Sequence, residues 1–253
     1  MNKKKTNHKI RWIAAAIAFV LVMACCYGGY AYINHYYHAN GRAEEALESD
    51  RTVTVSYPDK NTVVFMPEEV HSGLIFYPGG KVEYTAYAPL MHELAENGVL
   101  CIVPHVTWNL AILDVNAADG YKEQFPEVEH WYLGGHSLGG SAAAMYAADH
   151  AEEYDGLILL ASYSTDDLRD SGLSVLSVYG ENDGVLNRDK YADYRDNLPA
   201  DYTEFVIDGG CHAFFGSYGA QKGDGTPAIT PEEQVATTVD YICWFINNDI
   251  FSA

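Results

Sequence analysis

Three regimes of apolar and polar positions divide the chain. Residues 12–33 form an uncharged, largely apolar run long enough to cross a bilayer as a helix. Residues 34–50 are polar, with Tyr36 and Tyr37 near their start and a short helical patch over 42–48, and read as a stalk. Beyond residue 50 the period changes repeatedly. Short β-rich runs at 52–57, 62–66 and 72–77 open a sheet. Tyr87, Leu90, Met91 and Leu94 then recur at i, i+3, i+4 and i+7 ahead of Gly98, which predicts an amphipathic helix over 84–97. Apolar runs follow at 99–104, 131–133, 157–161 and 175–179, with a last strand ending at Val206 and Ile207. Helical patterns lie between them, as expected of parallel strands covered on both faces. Thr230, Pro231 and Glu233 supply the N-cap, first position and capping box of a final helix whose stripe Val235, Val239, Ile242 and Ile246 docks on the sheet. The expected fold class is α/β, a mostly parallel central sheet with helices on both faces, preceded by an N-terminal transmembrane helix.

Charge gives this layout an orientation. Lys3, Lys4, Lys5, Lys9 and Arg11 precede the apolar run, so the positive-inside rule keeps residues 1–11 cytoplasmic and makes 12–33 a signal anchor. The stalk 34–50 and a single domain over 51–253 then lie outside. A cleavage site at Gly29-Tyr30-Ala31 or a lipobox-like Val22-Met23-Ala24-Cys25 is the alternative, giving a secreted protein or a lipoprotein. The chain carries a formal charge of −20, and beyond residue 11 ten basic groups face 35 acidic ones. A field of that sign repels nucleic acid, so no nucleic-acid partner is expected, and the membrane is met through the N-terminal helix. Cys25 and Cys26 fall in the apolar run, leaving Cys101, Cys211 and Cys243 as free thiols; no metal-ligand spacing occurs.

The chemistry concentrates where the run at Trp131 enters Gly135-His136-Ser137-Leu138-Gly139 and then the small residues Ser141 to Ala144. A strand that becomes a helix within so few residues holds its central side chain on a sharp, strained turn, and glycines at 135 and 139 let neighbouring backbone pass closely. Ser137 is therefore the candidate nucleophile. A serine needs a base, and the base needs an acid. His212 lies in a glycine-flanked loop after the last predicted strand and is the candidate base; His105, ending a strand on the same sheet edge, is its rival and a pocket candidate. Asp183 follows the strand ending at Tyr179, which puts the three in the order Ser, Asp, His; Asp166, Asp167 and Asp208 are alternatives. An oxyanion needs two N–H donors, one from Leu138 and one from the loop Tyr77-Pro78-Gly79-Gly80-Lys81, with Gly80 first and Gly79 and Lys81 as alternatives.

The Ser137 elbow, Asp183 and His212, together with Gly73-Leu74-Ile75-Phe76-Tyr77-Pro78-Gly79-Gly80-Lys81-Val82, resemble the α/β-hydrolase superfamily over roughly residues 62–248, in its compact branch of dienelactone-hydrolase-like and short-chain esterases. Pro78 stands where many relatives carry histidine. The resemblance implies a Ser-His-Asp serine hydrolase with an acyl-enzyme, a small-molecule acyl substrate and no cofactor. Only residues 163–172 separate two core strands, too few for the helical lid that relatives acting on long lipids insert there. An open cleft walled by Trp108, Tyr163, Phe214 and Phe215 is expected. An acyltransferase on the same triad, or a non-catalytic binding module on the same fold, is the alternative.

Overall fold

The structure is a computed structural model and describes residues 3–252; Met1 and Asn2 of the basic leader, and Ala253, lie outside the described residues. The chain divides into two compact units, Met1–Tyr36 and Tyr37–Ala253. The first is one helix, α1 (Lys3–Asn34). Its stretch Ile10–Asn34 is apolar, 25 residues long and unburied, with Ile13, Phe19, Leu21 and Val22 all exposed. At 1.5 Å per residue it is about 37 Å long, more than the roughly 30 Å of a bilayer's hydrocarbon core. It is long and apolar enough to cross a membrane, a property that a secretory signal shares.

The second unit is built on eight strands: β1 (Val53–Asp59), β2 (Thr62–Pro67), β3 (Ser72–Tyr77), β4 (Val99–Pro104), β5 (Trp131–His136), β6 (Gly156–Leu160), β7 (Ser174–Gly180) and β8 (Thr203–Ile207). They form one sheet in the order β1-β2-β4-β3-β5-β6-β7-β8. β2 runs antiparallel to both of its neighbours, and every pair from β4 across to β8 is parallel. Alternate side chains go to opposite faces. Leu74 and Phe76 of β3 join one core with Leu90, Met91 and Leu94 of α3 (Ala88–Glu96) and Val235, Val239, Ile242 and Ile246 of α6 (Pro231–Ser252). Ile75 and Tyr77 join the other with Ala142, Ala143, Ala144 and Ala147 of α4 (Leu138–Asp149), and α5 (Arg188–Tyr194) lies between β7 and β8. The capping box of α6 is reciprocal: the Glu233 N–H donates to Thr230 Oγ1 at 3.2 Å, and the Thr230 N–H to Glu233 Oε2 at 2.8 Å. The strand expected at 131–133 runs on to His136. Gly134 and Gly135 carry no side chain to reveal a period, yet Tyr77 pairs with Gly135 and His136 with Leu160.

Residues 37–50 are not a stalk. They strap onto the domain, with the short helix α2 (Gly41–Ala46) burying Ala43 completely. The Tyr37 N–H donates to the Lys81 carbonyl at 2.7 Å and the Glu83 N–H to the Tyr37 carbonyl at 2.9 Å. Further along, the Asn40 N–H meets the Ser217 carbonyl at 2.9 Å, and the Asn40 side chain both caps α2 and accepts from Ser217 Oγ. Arg42 pairs with Glu232, and the Ala46 carbonyl takes the His92 Nδ1–H at 2.8 Å. Each partner is distant in sequence, so the local polar composition of 34–50 carries no trace of them. The cysteines are all free; Cys101 and Cys211 are buried and Cys243 half-buried.

Candidate active site

β3 has β4 on one side and β5 on the other, the place in a parallel sheet where successive connections leave in opposite directions and open a crevice at the carboxyl ends. Ser137 sits there, between the end of β5 and the start of α4, with φ 53° and ψ −124°. That backbone conformation costs about 1–3 kcal/mol for a non-glycine residue and is kept only where its surroundings enforce it. Close packing enforces it here. A Cβ on Gly135 would lie 2.5 Å from the backbone of Gly139, and one on Gly139 would lie 2.3 Å from the carbonyl oxygens of Tyr77 and Pro78. The glycines thus press the elbow against the loop that follows β3. The Ser137 N–H is held by the Leu160 carbonyl at 2.9 Å, and its own carbonyl accepts Ser162 Oγ at 2.7 Å, while its side chain makes no capping bond to α4.

His212 and Asp183 reach the same edge on the loops after β8 and β7. Their side chains are almost wholly buried, and His212 Nδ1 lies 2.8 Å from Asp183 Oδ2. A carboxylate only accepts, so Nδ1 carries the proton and a neutral imidazole presents a lone pair at Nε2, which makes no hydrogen bond to protein. The other Asp183 oxygen accepts the N–H groups of Val185 and Leu186, both at 2.8 Å, which orients the carboxylate. Asp224 binds the two loops together by accepting from the N–H groups of Gly184, His212, Ala213 and Gly225. Burial opposes its charge, but these donors outweigh burial and hold its carboxyl below the usual range. Gln234 of α6, fully buried, accepts the Cys211 N–H and donates to the Cys211 carbonyl. The residue ahead of His212 is therefore fixed at both ends of its backbone.

Leu138 and Gly80 lie side by side at the elbow. Leu138 opens α4, where the first N–H groups of a helix have no intrahelical partner. In the loop after β3 the Gly79 N–H is donated to Tyr87 Oη at 2.9 Å and the Lys81 N–H to the Asn109 carbonyl at 2.6 Å. Both alternatives to Gly80 are thereby engaged elsewhere. Gly80 itself stands against Leu138, since a Cβ on it would lie 2.9 Å from Leu138 Cδ2.

A cavity of ≈ 200 Å³ opens beside Ser137 and His212, walled by Leu138, Ala161, Tyr163, Val185, Leu186 and Asn187 among others. Of the five expected pocket residues only Tyr163 lines it, its ring stacked on Tyr194 at 5.3 Å. His105 is turned outward against Tyr84, with ring centroids 5.2 Å apart. Trp108 is 55% exposed, Phe214 packs on the α3/α6 core, and Phe215 is buried within that core. Following a strand brought these residues to the right edge without deciding which way each side chain turns. Among the rival acids, Asp167 pairs with exposed Arg169 and Asp208 is exposed. Sequence reasoning missed Asp224 and Gln234. The triplet Gly223-Asp224-Gly225 was the available signal, since a Cβ on Gly225 would lie 1.8 Å from the Asn182 carbonyl oxygen.

Comparison with known proteins places the architecture. The chain superimposes on a predicted CIB-like hydrolase from Thermoplasma acidophilum with a TM-score of 0.54 at 15% identity, covering 76% of this chain and 98% of that one. Est1E from Butyrivibrio proteoclasticus gives 0.54 at 15%, over 78% and 99%. TT1662 from Thermus thermophilus gives 0.55 at 12%, over 77% and 98%. No curated protein sequence matches the chain. At such identities the likeness speaks for the fold. The profile of the alpha/beta hydrolase family matches residues 73–236, from the strand that leads into Gly80 to the second turn of the helix that clamps Cys211. With that match over most of its length and this sheet order, the chain belongs to the alpha/beta hydrolase family.

Proposed function

We propose that the protein is a membrane-anchored, extracytoplasmic serine hydrolase that cleaves a carboxylic ester or related acyl bond. The observation that carries this reading is the buried Asp183–His212 contact, which leaves the His212 Nε2 lone pair at the cavity that Ser137 also lines. Ser137 Oγ attacks the acyl carbonyl and passes its proton to Nε2; the resulting oxyanion takes the Leu138 and Gly80 N–H groups. His212 returns the proton to the departing alkoxide, leaving Ser137 acylated. Water then enters, gives a proton to His212 and attacks the acyl carbon; the Ser137 Oγ–acyl bond breaks, His212 returns the proton to Oγ, and the acid leaves. Throughout, Asp183 holds Nδ1–H and stabilises the transient imidazolium.

The cavity is below the roughly 300–1,000 Å³ of pockets that enclose drug-sized ligands, which fits a short acyl group. The basic leader and apolar helix support an anchor with the domain outside. The test is fluorophosphonate labelling of the detergent-solubilised full chain. Wild type labels, and Ser137→Ala loses both label and ester hydrolysis, kcat falling about 10⁴- to 10⁶-fold. Labelling of Ser137→Ala at the wild-type level would sink the proposal. Across a series of nitrophenyl esters, kcat/KM peaks at acyl chains of about two to four carbons; a preference for long chains would contradict the small cavity.

A further inference from the structure

Two buried imidazoles stand side by side next to Ser137, and the reaction above uses one. The rings of His136 and His212 lie 4.5 Å apart at 49°. His136 Nδ1 is 2.8 Å from Tyr87 Oη, and that same oxygen accepts the Gly79 N–H at 2.9 Å. All three groups are buried. Among the described residues, no acceptor other than His136 Nδ1 is found for the phenol proton, so Tyr87 donates to Nδ1 and the imidazole proton resides on Nε2, a buried atom with no hydrogen-bond partner among the described residues. Burial, reinforced by the neighbouring His212, holds His136 well below the ordinary histidine range, so it stays neutral while His212 takes up a proton.

The placement is selective. Tyr87 holds the Gly79 N–H, one peptide ahead of the one that carries the Gly80 N–H and whose carbonyl accepts the Val82 N–H at 3.1 Å, whereas His136 precedes Ser137 and packs on His212. We propose that Tyr87 and His136 are positioning residues, a buried link that sets the second oxyanion donor in register with Ser137 and His212. This rests on the hydrolase reading above. Neither residue meets the substrate; each acts through its neighbour. A residue serving only to fill the core has no need of the hydroxyl, because the Tyr87 ring already packs on Phe76 at 5.1 Å.

The test uses the full chain in detergent, with p-nitrophenyl acetate as substrate, an arylboronic acid as transition-state mimic, and rates expressed per fluorophosphonate-titrated site. Tyr87→Phe keeps the ring and removes only the hydroxyl. It lowers kcat about 10- to 100-fold, leaves KM within about threefold, and weakens the boronic acid by the same factor as kcat. His136→Leu behaves alike, and His136→Asn, whose Oδ1 accepts from Tyr87, recovers most of the rate. A Tyr87→Phe enzyme whose per-site kcat and boronic-acid affinity stay within twofold of wild type overturns the inference, as does failure of His136→Asn to exceed His136→Leu. Wild type that neither labels nor turns over refutes the hydrolase reading instead, so the two failures are distinct.

Discussion

The two walls of the cleft are held by different means. The histidine wall is clamped from within: Asp183 and Asp224 gather the N–H groups of both loops, Gln234 grips Cys211, and Glu181 accepts the Gly209 N–H. The Gly80 wall is tied outward as well as inward. Tyr87 reaches Gly79 from the core, but Lys81 is held by the Asn109 carbonyl and by backbone pairing with Tyr37, at the start of the strap. Carboxylates that accept several backbone donors form charge-assisted bonds of about twice the strength of neutral ones, so the His212 loop is fixed by strong local bonds. The donor loop depends on weaker, neutral contacts, one of them with a segment that supplies no chemistry.

Loosening each wall in turn tests the contrast. Asp224→Ala frees four N–H groups in the histidine wall, and kcat/KM toward a short ester falls about 100-fold, read per titrated site. Because Asp224 is held below its ordinary pKa of 3.8, the unfolded chain binds its proton more readily than the folded one. The stability it adds is present above about pH 4 and is lost as pH falls through its folded value. Urea midpoints at pH 7 and pH 3 therefore differ less for Asp224→Ala than for wild type. On the other wall, a chain beginning at Arg51 lacks the strap. It loses about 3 kcal/mol and about 6–12 °C in Tm relative to one beginning at Tyr37, and its kcat falls more than its KM rises. Smallest is Thr230→Ala, which breaks the capping box of α6: about 1 kcal/mol and about 2–4 °C, with kcat within twofold of wild type.

Legibility in the sequence follows the range of the forces involved. The Ser137 elbow was readable because strand, glycine and small-residue signals sit within ten positions of one another. The loops of Asp183 and His212 were readable because parallel strands put all their carboxyl ends on one edge, and the structure joins those two side chains. Side-chain direction was not readable. His105 and Trp108 share that edge but turn outward, and Val185, Leu186 and Asn187 entered the cavity unannounced. The strap was hidden for the same reason: Asn40 and Ser217 are neighbours only after folding. His136, to which the motif alone gives no role, gained meaning only when Tyr87 arrived beside it from α3's leading turn.

Cys211 carries a practical corollary. It is 2% exposed, burial and nearby Asp224 push its thiol up to about 12, and it adjoins His212 inside the Gln234 clamp. Alkylation needs an accessible thiolate, so in the native protein this sulfur reacts only in molecules whose loop has sprung open. The unmodified chain thus contains its own clock for that opening: the rate at which iodoacetamide marks Cys211, resolved from Cys25, Cys26 and Cys243 by peptide mass, counts how often the histidine leaves its post.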